Sequence, residues 1–244
     1  MPKYKITIEY DGSNYAGWQR QDNGISIQES IEKAIIQLTG EKIIIFGAGR
    51  TDAGVHALGQ VAHFDLKKIF NTDNIRDGLN QYLRPQPISV LKAEEVDDDF
   101  HSRFSAKSRT YQYNISNRRA PLTIDKNKSW AVFKKLDVNK MEFEAKHFLG
   151  NHNLDAFRSA HCQSKSAIKT IDSILIIKKN ENISIRVSAK SFLHSQVRIM
   201  VGTLVEIGKG KIIKSIKRII EEEKRSQAGI TAPACGLYLI AVEY

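Results

Sequence analysis

Apolar and polar residues alternate at the start of the chain. Within residues 3–11, Tyr4, Ile6, Ile8 and Tyr10 fall on one face and mostly polar side chains fall on the other. A period of two residues is that of a β-strand with one buried face. The pattern therefore predicts that the chain begins with a half-buried strand.

Further strands are predicted by similar patterns and by β-branched segments. Tyr111, Tyr113 and Ile115 share one face of such a segment, and two apolar segments flank the turn at residues 180–182 as in a β-hairpin. The predicted strands after the first cover residues 42–46, 60–66, 87–96, 109–116, 168–178, 183–189 and 237–242.

Apolar residues at helical spacing predict five helices. The first follows Ser26, which together with Glu29 forms a capping box in which the serine caps the helix and the glutamate reaches back. This helix continues to Leu38, and Gly40 offers its C-terminal stop. The other predicted helices cover residues 71–83, 137–148, 193–207 and 212–223.

The order of these elements indicates the fold class. Each half mixes strands with two or more helices, which is compatible with an α+β protein of two ferredoxin-like, split βαβ halves with mainly antiparallel sheets. We expect the helices to cover mainly one face of the sheets and to leave the other face to a ligand. The predicted domains are residues 1–104 and 105–244, divided near the acidic stretch at 97–99.

Composition is that of an ordinary globular protein, with 41% hydrophobic and 26% charged residues. No apolar run approaches the roughly 20 residues that span a bilayer, and the first residues pass straight into a strand pattern, so we expect no secretory signal. Cys162 and Cys235 are too few for a zinc site or a disulfide framework and suit a reducing cytoplasm.

Charge is unevenly placed along the chain. Residues 1–122 carry 16 Lys and Arg against 15 Asp and Glu, whereas residues 123–244 carry 21 against 12, so that +9 of the net charge of +10 lies in the second half. Such a surplus attracts polyanions, and nucleic acid is the commonest polyanion in a cell. The alternative is that the lysines serve only solubility.

A glycine-rich segment between two predicted strands carries the densest chemical signal. Residues 46–60 read FGAGRTDAGVHALGQ, and glycines let a ligand approach the backbone closely. Arg50 lies two positions before Asp52, where it can keep a carboxylate ionised and oriented. The alternative is a tight turn in which Asp52 caps backbone N–H groups and Arg50 is its ion-pair partner. Neither a Walker loop nor a GxGxxG turn is present.

Residues 49–64, GRTDAGVHALGQVAHF, closely resemble the catalytic loop of the tRNA pseudouridine synthase I family, the TruA type. The resemblance extends along nearly the whole chain. It includes YDG at 10–12, GWQRQ at 17–21, DFHSRFSA at 99–106, RTYQY at 109–113, FLHSQVRIMVG at 192–202 and APACGLYL at 232–239.

This resemblance implies roles for five residues. Asp52 corresponds to the family's essential aspartate, with Arg50 as its neighbour in the loop. Tyr111 corresponds to the tyrosine that stacks on the target base, Arg198 to the arginine that pairs with the catalytic carboxylate, and Leu237 to a leucine of the pocket. In one departure, residues 194–196 read His-Ser-Gln where the family often has two histidines and a methionine.

The resemblance also implies an activity. We expect the chain to isomerise uridine to pseudouridine at positions 38, 39 and 40 of the tRNA anticodon stem and loop, after flipping the target base into a pocket. We expect no cofactor and no metal, a cytoplasmic homodimer, and an RNA-binding cleft on the sheet face that the helices leave free. The alternatives are a related synthase for ribosomal RNA or other tRNA positions, or an RRM-like module without chemistry.

Four further residues are predicted to contact RNA. Trp18 and Arg20 lie in the GWQRQ motif, where the alternative is a packed tryptophan with an exposed neighbour. Lys209 and Lys211 begin a lysine-rich stretch that we expect to form a solvated basic face touching phosphates.

Overall fold

A computed structural model describes residues 1–22, 24–160 and 162–244. Within these residues the strands are β1 (Lys3–Tyr10), β2 (Phe46–Gly47), β3 (His56–Asp65), β4 (Ile88–Val96), β5 (Ser108–Ser116), β6 (Trp130–Ala131), β7 (Gly150–Asn153), β8 (Ile168–Lys179), β9 (Asn182–Ala189) and β10 (Leu237–Glu243). The α-helices are α1 (Ile27–Thr39), α2 (Thr72–Leu83), α3 (Val138–Ala145), α4 (Gln196–Gly208) and α5 (Ile216–Glu222). Short 3₁₀ helices cover Lys146–Phe148, Asp155–Phe157, Arg225–Gln227 and Ala234–Gly236. The predicted α+β class with mainly antiparallel pairing is confirmed.

Contacts divide the chain into two compact units. The first unit contains residues 1–107 and 238–244, and the second contains residues 108–237. From Tyr238 onward, β10 pairs in parallel with β3 of the first unit, whereas the sequence-based division placed this strand in residues 105–244. Parallel pairing with a strand far earlier in the chain leaves no local signal in the sequence.

The first unit is built on β1. Its strands run in the order β4-β1-β3-β10, with β2 beside β3. The side chains of Tyr4, Ile6, Ile8 and Tyr10 are buried, which confirms the predicted alternation. Helix α2 packs on β4, and α1 packs on α2. Strand β1 lies between β4 and β3, so its buried side chains are at the centre of this core.

Helix α1 has the predicted ends. The Ser26 hydroxyl accepts a hydrogen bond from the Glu29 backbone N–H at 3.1 Å, and Gly40 closes the helix at φ +76°. The Glu29 carboxylate lies 2.7 Å from the Lys33 ammonium, whereas the predicted capping box had it reach back to Ser26. The serine half of the box is therefore what the structure confirms.

The strand predicted at residues 42–46 is wrong except at its end, since regular pairing begins at Phe46. The backbone at Ile45 bonds to side chains of α1 instead. Its N–H donates to the Glu32 carboxylate at 3.1 Å, and its carbonyl accepts from the Gln28 amide at 3.3 Å. Of the β-branched run, Ile45 is buried whereas Ile44 is 63% exposed, and the run forms no ladder before Phe46.

The second unit has the strand order β5-β9-β8-β7, with β6 parallel to β5. The predicted hairpin is confirmed, because β8 and β9 pair through Lys179 opposite Asn182 and Asn180 adopts φ +56° in the turn. Helix α4 begins three residues later than predicted, since Ser195 has φ +58°, a value that a helix does not accept. Helix α5 likewise begins later than predicted, at Ile216 after its cap Ser215, and not at residue 212.

Among the described residues, no helix combines the length and the apolar character that crossing a membrane requires.

A buried histidine joins β3 to the loop after β4. His63 is 3% exposed, its ring stacks on Phe46 at 5.3 Å between centroids, and its Nδ1 accepts the backbone N–H of Ser102 at 3.2 Å. Burial, and after it the positive charge of His101 and Lys3, lowers the pKa of His63 from 6.5 to about 4. The folded protein therefore holds this imidazole neutral.

Stability is expected to fall with acid because of His63. Between pH 6.5 and 4 the imidazole of His63 is protonated in the unfolded chain but neutral in the folded chain. The contribution of His63 to the free energy of unfolding is therefore complete above pH 6.5, and it is lost as the pH falls toward 4. We expect His63 to remove about 2 kcal/mol of unfolding free energy between pH 7 and pH 5. Urea denaturation of wild type and His63→Asn measures this, and the variant should show the smaller change with pH. His147→Asn is the control, and an equal pH dependence in wild type and His63→Asn would contradict the assignment.

Candidate active site

The loop that carries Asp52 is anchored on β3. The backbone N–H of Ala48 donates to the carbonyl of Val61 at 2.7 Å, and the Gln60 side-chain amide donates to the carbonyl of Gly49 at 2.8 Å. Gln60 is buried. The glycine-rich segment is therefore a loop of fixed path at its start.

Thr51, the residue before Asp52, is held from two directions. Its hydroxyl lies 2.8 Å from the buried hydroxyl of Tyr10, at the end of β1. Its carbonyl accepts the backbone N–H of Trp18 at 3.0 Å. The side chain and the main chain of Thr51 are both engaged, so the position of Asp52 is set by elements that lie 30 or more residues earlier in the chain.

Asp52 is half-buried at the start of a turn, whereas Arg50 is exposed. The carbonyl of Asp52 accepts the backbone N–H of Val55 at 3.1 Å, and Gly54 supplies φ +77°. Gly17, at φ +103°, lies against this turn so closely that an added Cβ would be 2.6 Å from the carbonyl oxygen of Thr51. A glycine is required there for the loop to keep its path.

His56 closes the other end of the loop. It is buried, its Nδ1 lies 3.1 Å from the carboxylate of Asp11 and accepts the backbone N–H of Gly12 at 3.2 Å. Its ring stacks on Tyr238 at 4.6 Å. Sequence analysis assigned no role to His56, although its two partners, Asp11 and Gly12, belong to the YDG motif that follows β1.

Tyr111 belongs to the sheet of the second unit. Tyr111 lies on β5 opposite Val187 of β9, is 8% exposed, and meets the ring of Phe192 edge-on at 5.3 Å. Phe192 was not predicted as a site residue. Edge-on packing is a favoured arrangement of two aromatic rings, so Phe192 favours the observed plane of the tyrosine ring.

Arg198 is tied to the segment before β10. It lies in the first turn of α4, and its Nε donates to the carbonyl of Ala232 at 2.8 Å, while the backbone N–H of Ala232 donates to the carbonyl of Arg198 at 3.1 Å. An added Cβ on Gly202 would be 1.8 Å from the carbonyl oxygen of Ile230. The absence of a side chain at Gly202 lets the backbone at Ile230 approach α4, and the hydrogen bond to Ala232 then holds the Arg198 side chain.

Tyr113 holds the same segment from β5. Its hydroxyl donates to the carbonyl of Pro233 at 2.7 Å, and its ring fills the space where a side chain on Gly236 would lie. Burial raises the pKa of the Tyr113 hydroxyl, which keeps it a hydrogen-bond donor. Leu237 follows directly and is 6% exposed. Alternation predicted that Tyr113 is buried, but nothing in the sequence identified its partner.

Of the predicted RNA contacts in the first unit, Arg20 is exposed and Trp18 is not. Trp18 is 3% exposed, and its indole covers Gly47, which supports the alternative of a packed tryptophan. Arg20 keeps half of its side chain exposed while its guanidinium lies 2.7 Å from the carboxylate of Glu32.

The predicted lysines of the second unit share one carboxylate. Lys209 lies 2.9 Å from Glu206 and Lys211 lies 3.3 Å from it. The Lys209 ammonium also lies 5.4 Å from the ring centre of Trp130. Lys211 is the exposed member of the pair, with 64% of its side chain accessible.

Charge separates more sharply by unit than by half of the sequence. The second unit carries 24 Lys and Arg against 11 Asp and Glu, a net charge of +13, and the first unit carries 13 against 16, a net charge of −3. A surplus of this size in about 130 residues favours a polyanionic partner. In the described part of the chain, no group of three or more His, Cys, Asp or Glu is arranged to hold a metal ion.

Comparison with known proteins identifies the class. The profile of the family described as tRNA pseudouridine synthase matches residues 6–105 and 145–244. The chain belongs to the tRNA pseudouridine synthase family, and it is an isomerase.

Its relatives within the family are similar along their full length. The chain is 54% identical to the tRNA pseudouridine synthase A of Wolbachia pipientis wMel over 99% of this chain and 100% of that protein. It is 54% identical to the protein of the same name from Ehrlichia canis over the same shares. It is 51% identical to that of Maricaulis maris over 100% of this chain and 98% of the relative.

Gly17 is expected to be essential to the placement of Asp52. Gly17→Ala brings a methyl group against the carbonyl of Thr51 and should displace the turn, lowering kcat by on the order of 10²-fold. Gly40→Ala is the matched control, because Gly40 also has positive φ but has no atom within 4 Å of an added Cβ.

Both variants should lose about 1 kcal/mol or more of stability from the backbone conformation alone, and only Gly17→Ala should lose activity beyond that. Pseudouridine formation on a tRNA transcript and urea denaturation measure the two effects. Equal activity of the two variants would show that the path of the loop does not govern catalysis.

Proposed function

We propose that this chain converts uridine to pseudouridine in the anticodon stem and loop of tRNA, at positions 38, 39 and 40, with Asp52 as the catalytic carboxylate. The observation that carries the proposal is the fixation of Thr51 by Tyr10 and Trp18, which places one half-buried carboxylate in a loop matching the family's catalytic motif. Such preorganisation is what a reacting group requires.

The reaction needs few groups. The bond between uracil N1 and ribose C1′ breaks, the base turns, a bond from C5 to C1′ forms, C5 gives up its proton, and N1 gains one. Atoms and electrons balance without an oxidant or a reductant. A carboxylate serves as nucleophile at C6 or C1′, or as base at the ribose, and the side chain of Asp52 supplies it in any of these routes.

The other predicted residues position the base. We propose that the uridine is flipped out of the RNA and stacks on Tyr111, whose ring plane Phe192 favours. Arg198 provides the positive charge that balances the carboxylate, Leu237 contributes an apolar wall, and Arg50 contacts the RNA beside the reacting nucleotide. The departure at residues 194–196 falls on the pocket wall or on RNA contacts, and because Arg198 is kept we expect the chemistry to be kept with it.

Electrostatics favour an RNA substrate held chiefly by the second unit, with its net charge of +13. Arg20 is a proposed contact to the RNA, and Lys209 and Lys211 are proposed contacts to its phosphates. We also propose the family's arrangement of two ferredoxin-like halves with an RNA-binding cleft, acting as a homodimer in the cytoplasm. A related synthase for ribosomal RNA or other tRNA positions would use the same carboxylate, and only the position of the pseudouridine in the product would distinguish it.

Asp52→Asn is expected to abolish the reaction, because the amide keeps the shape and removes the charge. The loss in kcat should be about 10⁴-fold or more, as for removal of a catalytic nucleophile. Base-by-base mapping of pseudouridine in unmodified tRNA and ribosomal RNA transcripts, without added metal or nucleotide, measures activity and target together. Asp172→Asn, an exposed aspartate of the second unit, is the control.

Pseudouridine confined to the anticodon arm and made by wild type and the control alone would establish the proposal. Normal conversion by Asp52→Asn would refute the assignment of the carboxylate. Tight RNA binding by wild type without product on any transcript would favour the RRM-like module instead.

Tyr111→Phe and Tyr111→Ala separate stacking from proton transfer. The phenylalanine keeps the ring, so its kcat/KM should remain within about threefold of wild type, whereas the alanine should lose about 5- to 150-fold, the range of one base–aromatic stack. Steady-state kinetics on a tRNA transcript measure both. A large loss in Tyr111→Phe would mean that the hydroxyl takes part in the chemistry.

A further inference from the structure

Residues 99–106 match the family but have no part in the proposed chemistry, and in the structure they expose an aromatic surface. The ring of His101 lies 4.4 Å from that of Phe104 and 5.9 Å from that of Phe46. Phe104 is 74% exposed and Phe46 is 48% exposed. We call Phe46, His101 and Phe104 the aromatic platform.

Hydrogen bonds hold the turn that carries His101 and Phe104. The backbone N–H of His101 donates to the Ser105 hydroxyl at 3.0 Å, and the backbone N–H of Ser105 donates to the carbonyl of His101 at 2.9 Å. The Nδ1 of His101 accepts the backbone N–H groups of Arg103 at 3.1 Å and Phe104 at 3.4 Å. A preformed surface loses little conformational entropy when a ligand binds.

The platform is also fixed to the strand that leads to Asp52. The buried Ser102 donates its hydroxyl to the carbonyl of Phe46 at 2.5 Å, and its own carbonyl accepts the Tyr244 hydroxyl at 2.8 Å. Phe46 begins β2, six residues before Asp52. A ligand on the platform is therefore held at a constant position relative to the loop of Asp52.

The chemistry of this surface favours a ligand with a flat face. The guanidinium carbon of Arg103 lies 5.7 Å from the ring centre of Phe104, an arrangement that adds a cation to the stacking surface. Charge alone does not favour a polyanion here, because the first unit has a net charge of −3 and residues 97–99 are exposed aspartates. What the surface offers to a ligand is its aromatic rings, and any base can stack on them because every base has a π-face.

We infer that the aromatic platform binds an unpaired base of the RNA substrate by stacking, so that the first unit contributes an RNA contact in addition to those of the basic second unit. The inference rests on the proposed function for the identity of the RNA. The rival occupant of this apolar surface is a second copy of the chain.

Equilibrium binding of an unmodified tRNA transcript tests the inference, with Asp52→Asn as the parent protein so that no turnover occurs. Phe104→Ala and Phe104→Leu should each weaken binding by about 5- to 150-fold, and Phe104→Trp should bind at least as tightly as the parent. The dependence of log Kd on log salt should keep its slope, because no charge is removed.

The matched control is Phe143→Ala. Phe143 is 63% exposed and meets a histidine, His147, edge-on at 5.8 Å, so it reproduces the exposed aromatic beside a histidine in the second unit. Its affinity for tRNA should equal that of the parent.

Affinity of Phe104→Ala within twofold of the Phe143→Ala control would overturn the inference. So would full affinity of Phe104→Leu, because it would replace stacking by simple apolar contact. A change in mass by sedimentation in Phe104→Ala, without a change in tRNA affinity, would assign the surface to a second copy. Failure of wild type to make pseudouridine would count against the proposed function alone, since the binding comparison does not depend on turnover.

Discussion

The hydrogen bonds that hold Thr51 are the constraint on which the first unit's site depends. A loop with four glycines has the conformational freedom to adopt many paths, and an aspartate carried on it has no position of its own. Tyr10 and Trp18 remove that freedom by engaging one residue through its hydroxyl and its carbonyl. The buried core beneath β1 and α1 is what gives those two partners a fixed place.

In the second unit, side chains from a helix and a strand hold a predicted site segment in place. Arg198 and Tyr113 each bind a carbonyl of residues 232–233, so one short segment connects the start of α4 to β5. Both donors are side chains on regular elements, and both acceptors are main-chain groups, which no side-chain substitution removes. The arginine and the leucine that follows this segment are thus positioned by backbone geometry.

Sequence patterns predicted those parts of the fold that depend on local periodicity. The alternation in β1, the cap at Ser26, the stop at Gly40 and the hairpin at Asn180 each result from a few adjacent residues. The failures have a different cause: Ile45 bonds to side chains of α1, and β10 joins a strand about 180 residues earlier in the chain. Non-local pairing leaves little trace in local pattern.

The site was predicted in the same uneven way. The motifs nominate Asp52, Tyr111 and Arg198 as site residues, but they do not indicate the groups that hold these residues in the structure. Phe192 contacts the ring of Tyr111, and His56 contacts the ring of Tyr238. Gly17 allows the turn at Asp52 to approach closely because it has no side chain. Such roles depend on which backbone lies opposite, and they become visible only when the chain is folded.

The parallel pairing of β10 with β3 has a consequence for how the molecule is made. Residues 1–107 leave the ribosome about 130 residues before Tyr238, the first residue that completes their unit. Until then β3 lacks its parallel neighbour, and His56 lacks the ring that stacks on it. The nascent chain therefore adds the ring contact to His56 and the parallel neighbour of β3 last, after the whole basic unit has been synthesised, so that a chain truncated before this point carries the RNA-attracting charge without these two supports at the end of the Asp52 loop.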